Sequence, residues 1–74
     1  MTNRQHAIRI MNRLCLQMAG VSLNDLPDLP CIANAVDEME EIMEAEGSEA
    51  SMSELLDIAQ EGLTELLEEE GFPI

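Results

Sequence analysis

The stretch SMSELLDIAQEGLTELLEEE, Ser51 to Glu70, carries Met52, Leu55, Leu56, Ala59, Leu63, Leu66 and Leu67 at spacings of three and four. That period gathers them on one side of an α-helix, whereas a half-buried strand would alternate apolar and polar residues. Glu54, Asp57, Glu61, Glu65 and Glu68 fall on the opposite side, an acidic row along the whole segment. Ser51 followed three residues later by Glu54 reads as a capping box, so a helix is expected over 52–70. Gly62 falls on the apolar stripe, where a missing side chain either admits a close neighbour or marks a break. Continuity is the favoured reading, against a propensity cost of about 1 kcal/mol relative to alanine.

Upstream, a short polar linker is expected from Gly47 to Ala50, preceded by a second helix over 29–45. Its stripe is Ile32, Ala35, Val36, Met39, Ile42 and Met43, with Asp28 as expected N-cap and Pro30 tolerated in the first turn. Asp37, Glu38, Glu40, Glu41 and Glu44 occupy its other faces, and no cation in the segment pairs with them. The run VSLNDLPDLP, residues 21–30, is punctuation: Ser22 and Asp25 suit one short turn over 22–26, and Leu23, Leu26 and Leu29 are expected to plug the bundle end. A first helix is expected over 3–19, opened by a Thr2–Gln5 capping box and stopped at Gly20. Its apolar face comprises Ala7, Ile8, Met11, Leu14, Cys15 and Met18, and Arg9 and Arg13 lie away from it. No strand pattern, repeat or heptad array competes, and the expected fold is an all-α bundle of three to four helices in a single domain spanning residues 1–74.

Charge is segregated along this chain of 74 residues. It has 3 Lys+Arg against 16 Asp+Glu and a formal charge of −13; the cations are Arg4, Arg9 and Arg13, and the first acid is Asp25. Direct nucleic-acid binding and an anionic membrane surface are disfavoured, since both run on Lys and Arg. No apolar run approaches the roughly 20 residues of a spanning helix, so a soluble cytoplasmic protein is expected. High net charge points to disorder, but 46% of residues are apolar and rich in Leu, Ile and Met, enough for a core.

Catalytic chemistry finds little to work with. His6 is the single histidine, and the carboxylates fall on solvent-facing rows where their environments do not differ as acid–base catalysis requires. No enzymatic activity and no cofactor are expected. Cys15 and Cys31 lack C-x-x-C spacing and a full ligand set for zinc, and no calcium-loop motif occurs, so no metal site is expected. Cys15 reads as a small core residue and Cys31 as first-turn packing, both reduced. Four of the six methionines read as core filler in a chain whose one aromatic is Phe72.

The acid is costly. Within the two acidic helices there are five like-charge pairs at i,i+3 and five at i,i+4. At roughly 0.2 to 0.5 kcal/mol each before screening, they total about 2 to 5 kcal/mol of repulsion. The stability expected of so short a chain is only about 4 to 11 kcal/mol. Glu68, Glu69 and Glu70 also crowd a helix C-terminus, where the macrodipole favours cations. Solubility needs far less charge. Adaptation to a very salty cytoplasm would not collect every arginine in the first helix, so a partner with a positive surface ranks above it. From Glu54 to Glu68 five carboxylates span about 21 Å, one per roughly 5 Å of axis, and the second helix raises the density towards the one charge per about 1.7 Å of duplex DNA.

A tiny, lysine-free, acidic helical chain of this kind resembles the phage-encoded DNA mimics, especially the small anti-CRISPR proteins that block type I surveillance complexes. The likeness lies in length, charge and expected helicity, because the group shares no motif. It implies a host bacterial cytoplasm and binding to the basic DNA-recognition surface of a Cascade complex, with type I-C the subtype suggested. The residues that would carry it are Asp37, Glu38, Glu40, Glu41, Glu44, Glu54, Asp57, Glu61, Glu65 and Glu68. An acidic chaperone or antitoxin-like binder of another basic protein shares these electrostatics. A carrier protein ranks lower: Ser22 and Ser53 lack the preceding Asp of the D-S-L attachment motif. The arginine face is expected to pair with the chain's own acids, and the oligomeric state stays open, with Ile10, Leu16 and Phe72 the candidates to close a dimer.

Overall fold

The computed structural model describes residues 2–47 and 51–72. Among them are three α-helices, α1 Asn3–Ala19, α2 Pro30–Glu46 and α3 Met52–Glu69, one 3₁₀ turn at Leu23–Asp25, and no strand. The all-α bundle expected from the periodicity is the observed fold, in an envelope of 35 × 20 × 17 Å. Most of the linker placed at 47–50 lies outside the described residues.

Helix α1 begins where its sequence dictates: Gln5 N donates to Thr2 Oγ1 at 3.1 Å while Thr2 N donates to Gln5 Oε1 at 3.0 Å, a complete capping box. The other two starts depart from expectation. Asp28 is not the N-cap of α2. Leu29 takes that place, with Pro30 as first helical residue, because proline fixes φ and has no amide to satisfy. Ser51 caps α3 through its backbone alone, its carbonyl accepting Leu55 N at 3.1 Å, and the expected side-chain capping hydrogen bond is not formed. At its far end α3 stops at Glu69, with Glu70 as cap. Gly71, at φ 80°, takes the left-handed turn, with Gly71 N donating to Glu68 O at 3.2 Å and Phe72 N to Leu67 O at 2.9 Å. Those two bonds satisfy carbonyls that the helix end would leave free.

The core is Ala7, Met11 and Cys15 from α1, Ile32, Ala35, Val36, Met39 and Met43 from α2, and Leu55, Ala59, Leu63, Leu66 and Leu67 from α3. Leu23, Leu26 and Leu29 pack against it from the connecting segment, as the plug reading requires. Three stripe residues are corrections: Ile8 is 41% exposed, Met52 50% and Leu56 39%. Each stripe is wider than the arc a three-helix core can cover. Ile8 and Leu56 lie about 100° around the helix from buried Ala7 and Leu55, and Met52 sits at the exposed start of α3. Leu16 is 47% exposed, whereas Ile10 and Phe72 are half-buried.

Helix α3 is unbroken through Gly62. A Cβ added there would sit 2.8 Å from Ala35 Cβ and 3.3 Å from Cys31 O, so the missing side chain is what brings α3 against α2. The start of the connecting segment is also tied down. Asn12, in the middle of α1, accepts from Ser22 Oγ at 3.1 Å and from Leu23 N at 2.8 Å, holding the 3₁₀ turn to the helix.

Candidate functional site

Helix α2 has two seams, and the acidic residues divide between them. On the seam with α1, Arg4 Nη1 lies 3.0 Å from Asp37 Oδ1 and 4.0 Å from Glu40 Oε1. Asp37 and Glu40 are therefore partly neutralised by the chain itself. Because Arg4 and Asp37 are both about half or more exposed, the pair contributes at most about 1 kcal/mol. The expectation that the arginines pair internally holds for Arg4; among the described residues Arg9 and Arg13 form no ion pair.

On the seam with α3, Glu38 of α2 and Glu61 and Glu65 of α3 border one narrow groove with Cys31, Ala35 and Gly62 on its floor. The close approach at Gly62 draws the two acidic rows together there. No cation joins them among the described residues. The row continues over the outer face of α3, where Asp57, Glu61, Glu65 and Glu68 frame a shallow recess with Gln60 and Thr64 between them. Glu54 stands exposed in the first turn of α3, the one place on that helix where the macrodipole favours an acid. Glu41 is exposed on α2, and Glu44 opens onto a different hollow, beside Asn3 and His6 at the N-terminal end of α1. Thus Glu38, Glu54, Asp57, Glu61, Glu65 and Glu68 form one continuous cation-free surface, with Glu41 at its edge. Asp37, Glu40 and Glu44 turn towards α1.

The carboxylates line up; they do not converge. Among the described residues no three His, Cys, Asp or Glu side chains gather in a way that would hold a metal ion. Both thiols are free. Burial pushes the Cys15 thiol up from its ordinary value. Cys31 is pushed up first by burial and then by the negative charge of Glu65, with a smaller push from Glu69, while backbone hydrogen bonding at Cys31 and Ile32 pulls the other way. Burial is the larger cause, and the acidic seam adds to it through Glu65.

Two features bear on the other readings. The Ser22 hydroxyl donates to Asn12 and accepts from Asn24 N at 3.3 Å, so it is committed to the turn rather than presented for attachment of a prosthetic arm. No helix among the described residues is long and apolar enough to cross a membrane. Compared with known proteins, the chain matches no family model, and neither a curated protein nor a solved structure matches it.

Proposed function

We propose that the protein is a DNA mimic that binds the basic DNA-recognition surface of a type I CRISPR Cascade complex and keeps target DNA from it. The observation that carries this reading is the cation-free carboxylate surface on the outer face of α3, extended onto α2 by Glu38. A solvated helix face needs no such continuity, and interspersed lysines would relieve its repulsion at no loss of solubility. A channel lined with Lys and Arg supplies the missing cations. On docking, those cations leave phosphates for carboxylates, and the like-charge repulsion stored along α3 is relieved in the complex. The function is competition at a binding surface, with no bond made or broken.

The test is direct binding to a purified type I-C Cascade without target DNA. Affinity is expected to fall at least about tenfold between 0.05 and 0.2 M salt. Changing Glu54, Glu61 and Glu65 together to Gln is expected to weaken it by about 100-fold, the scale of several lost charge-assisted contacts. Undiminished binding of that variant would remove the α3 face from the reading. Binding only to a basic protein that does not itself bind DNA would favour the chaperone or antitoxin alternative.

A further inference from the structure

The side of the molecule away from the acidic surface has the opposite character. A groove of about 670 Å³ runs between α1 and α3, with Ile10 and Leu14 of α1 and Met52 and Leu56 of α3 on its apolar walls and Arg9 and Arg13 along one rim. Among the described residues, Met52 and Leu56 are two of the four large apolar residues that stand exposed. Arg9 and Arg13 are exposed and, among the described residues, unpaired. Exposed apolar side chains concentrated beside unpaired cations, on a chain of charge −13, call for a cover that is both apolar and acidic.

We propose that a second copy of this chain covers the groove, docking on a two-fold axis that passes close to Leu56. Charge distribution and two-fold symmetry select that occupant. Net charge keeps most faces of two copies apart, and α1, which carries every cation of the chain and no acid, is the helix along which they can approach. A two-fold interface uses the same patch on both copies, so Met52 and Leu56 meet their own counterparts and both apolar patches are buried at once. With the axis parallel to the helices, α1 of one copy lies over α3 of the other. Arg9 and Arg13 then approach Asp57, the residue after Leu56 on the facing helix, so the rim is charge-complementary. Asp57 apart, both acidic surfaces remain outside, pointing away from the axis, and the dimer presents two acidic faces. This inference is independent of what those faces bind.

Sedimentation equilibrium across a concentration series tests it on the full chain. The expected result is a mass of twice 8.2 kDa at high concentration; a mass of 8.2 kDa throughout, up to about 1 mM, overturns the proposal. Changing Met52 and Leu56 together to Glu is expected to weaken the dimer by about 100-fold with the helical circular-dichroism signal unchanged, since both sites are exposed in the free chain. A dimer that survives this change uses another face, which also overturns the proposal. Should the double variant lose helicity, Leu56→Cys decides: mild oxidation is expected to cross-link it across the two-fold axis, beyond the level of the wild-type chain and of Glu41→Cys, and no excess cross-linking overturns the proposal.

Discussion

The two seams of α2 share one apolar core but carry opposite electrostatics. Towards α1 the joint is bridged by charge, with Arg4 reaching Asp37 and Glu40. Towards α3 it is closed by shape, with Gly62 seated against Ala35 and the carbonyl of Cys31 while Glu38, Glu61 and Glu65 flank the groove without a cation. Packing on the α3 side therefore works against electrostatic repulsion, and on the α1 side with electrostatic attraction. A chain selected only for stability would distribute its few cations across both seams. This one leaves the α3 side uncompensated, and that is the surface on which the functional reading rests.

The largest effect is expected from removing the shape fit between α2 and α3. Gly62→Leu drives a side chain into Ala35 and the α2 backbone, and overpacking of this kind is expected to cost about 3 kcal/mol despite leucine's better helix propensity. Urea denaturation measures it; a variant as stable as wild type would show that α2 and α3 do not depend on their close approach. Next in size is charge removal on the α3 side. Glu54→Gln, Glu61→Gln and Glu65→Gln together relieve five of the like-charge pairs, offset by the loss of a favourable first-turn acid at Glu54. A gain of about 1 kcal/mol is expected at low salt, shrinking as salt rises. Thermal melts at two ionic strengths check it, a gain of that size corresponding to about 4 to 8 °C.

Charge removal on the α1 side should have the opposite sign. Arg4→Gln deletes the bridge and leaves Asp37 and Glu40 facing each other unneutralised, so a loss of about 0.5 kcal/mol is expected in the same melts. If both changes moved stability in one direction, the contrast between the seams would fail. The smallest effect is read by a thiol. Because Glu65 helps hold the Cys31 thiol above its ordinary value, Glu65→Gln alone is expected to speed its alkylation near pH 8, with Cys15, fully buried, unreactive until the chain unfolds. The same raised thiols set a pH trend. The unfolded chain loses these protons first, so the stability from keeping them is full below the ordinary thiol range and declines as pH rises above about 9.

The three helices were legible because leucine, isoleucine and methionine recur at the helical period and because Gly20, Gly47 and the prolines punctuate the chain. What the period could not give was the width of each buried arc. Ile8 and Leu56 fit their stripes as well as Ala7 and Leu55 do, and only the placement of the third helix decides which of each pair meets a neighbour. Capping residues were similarly ambiguous: Thr2 forms its box, whereas Ser51 lets its carbonyl cap the helix and Asp28 yields to Leu29 beside Pro30. Gly62 was legible as a choice between close packing and a break, and the distance to Ala35 resolves it. The acidic residues were all visible in the sequence. Their division was not, because it depends on which edge of α2 faces Arg4 and which faces α3. Asn12 went unread altogether; its one signal was a polar, poorly helix-forming residue in the middle of α1.

The central claim is that the cation-free surface of α3 stands in for the phosphates of DNA. The most direct measurement is fluorescence anisotropy of a labelled target duplex bound to type I-C Cascade, titrated with wild-type protein and with the Glu54→Gln, Glu61→Gln, Glu65→Gln variant. The account predicts that wild type releases the duplex competitively, with an apparent affinity that falls as duplex concentration rises, and that the variant needs about 100-fold more protein for the same release. Wild type binding the complex while the duplex stays bound, or a variant that competes as well as wild type, would contradict it.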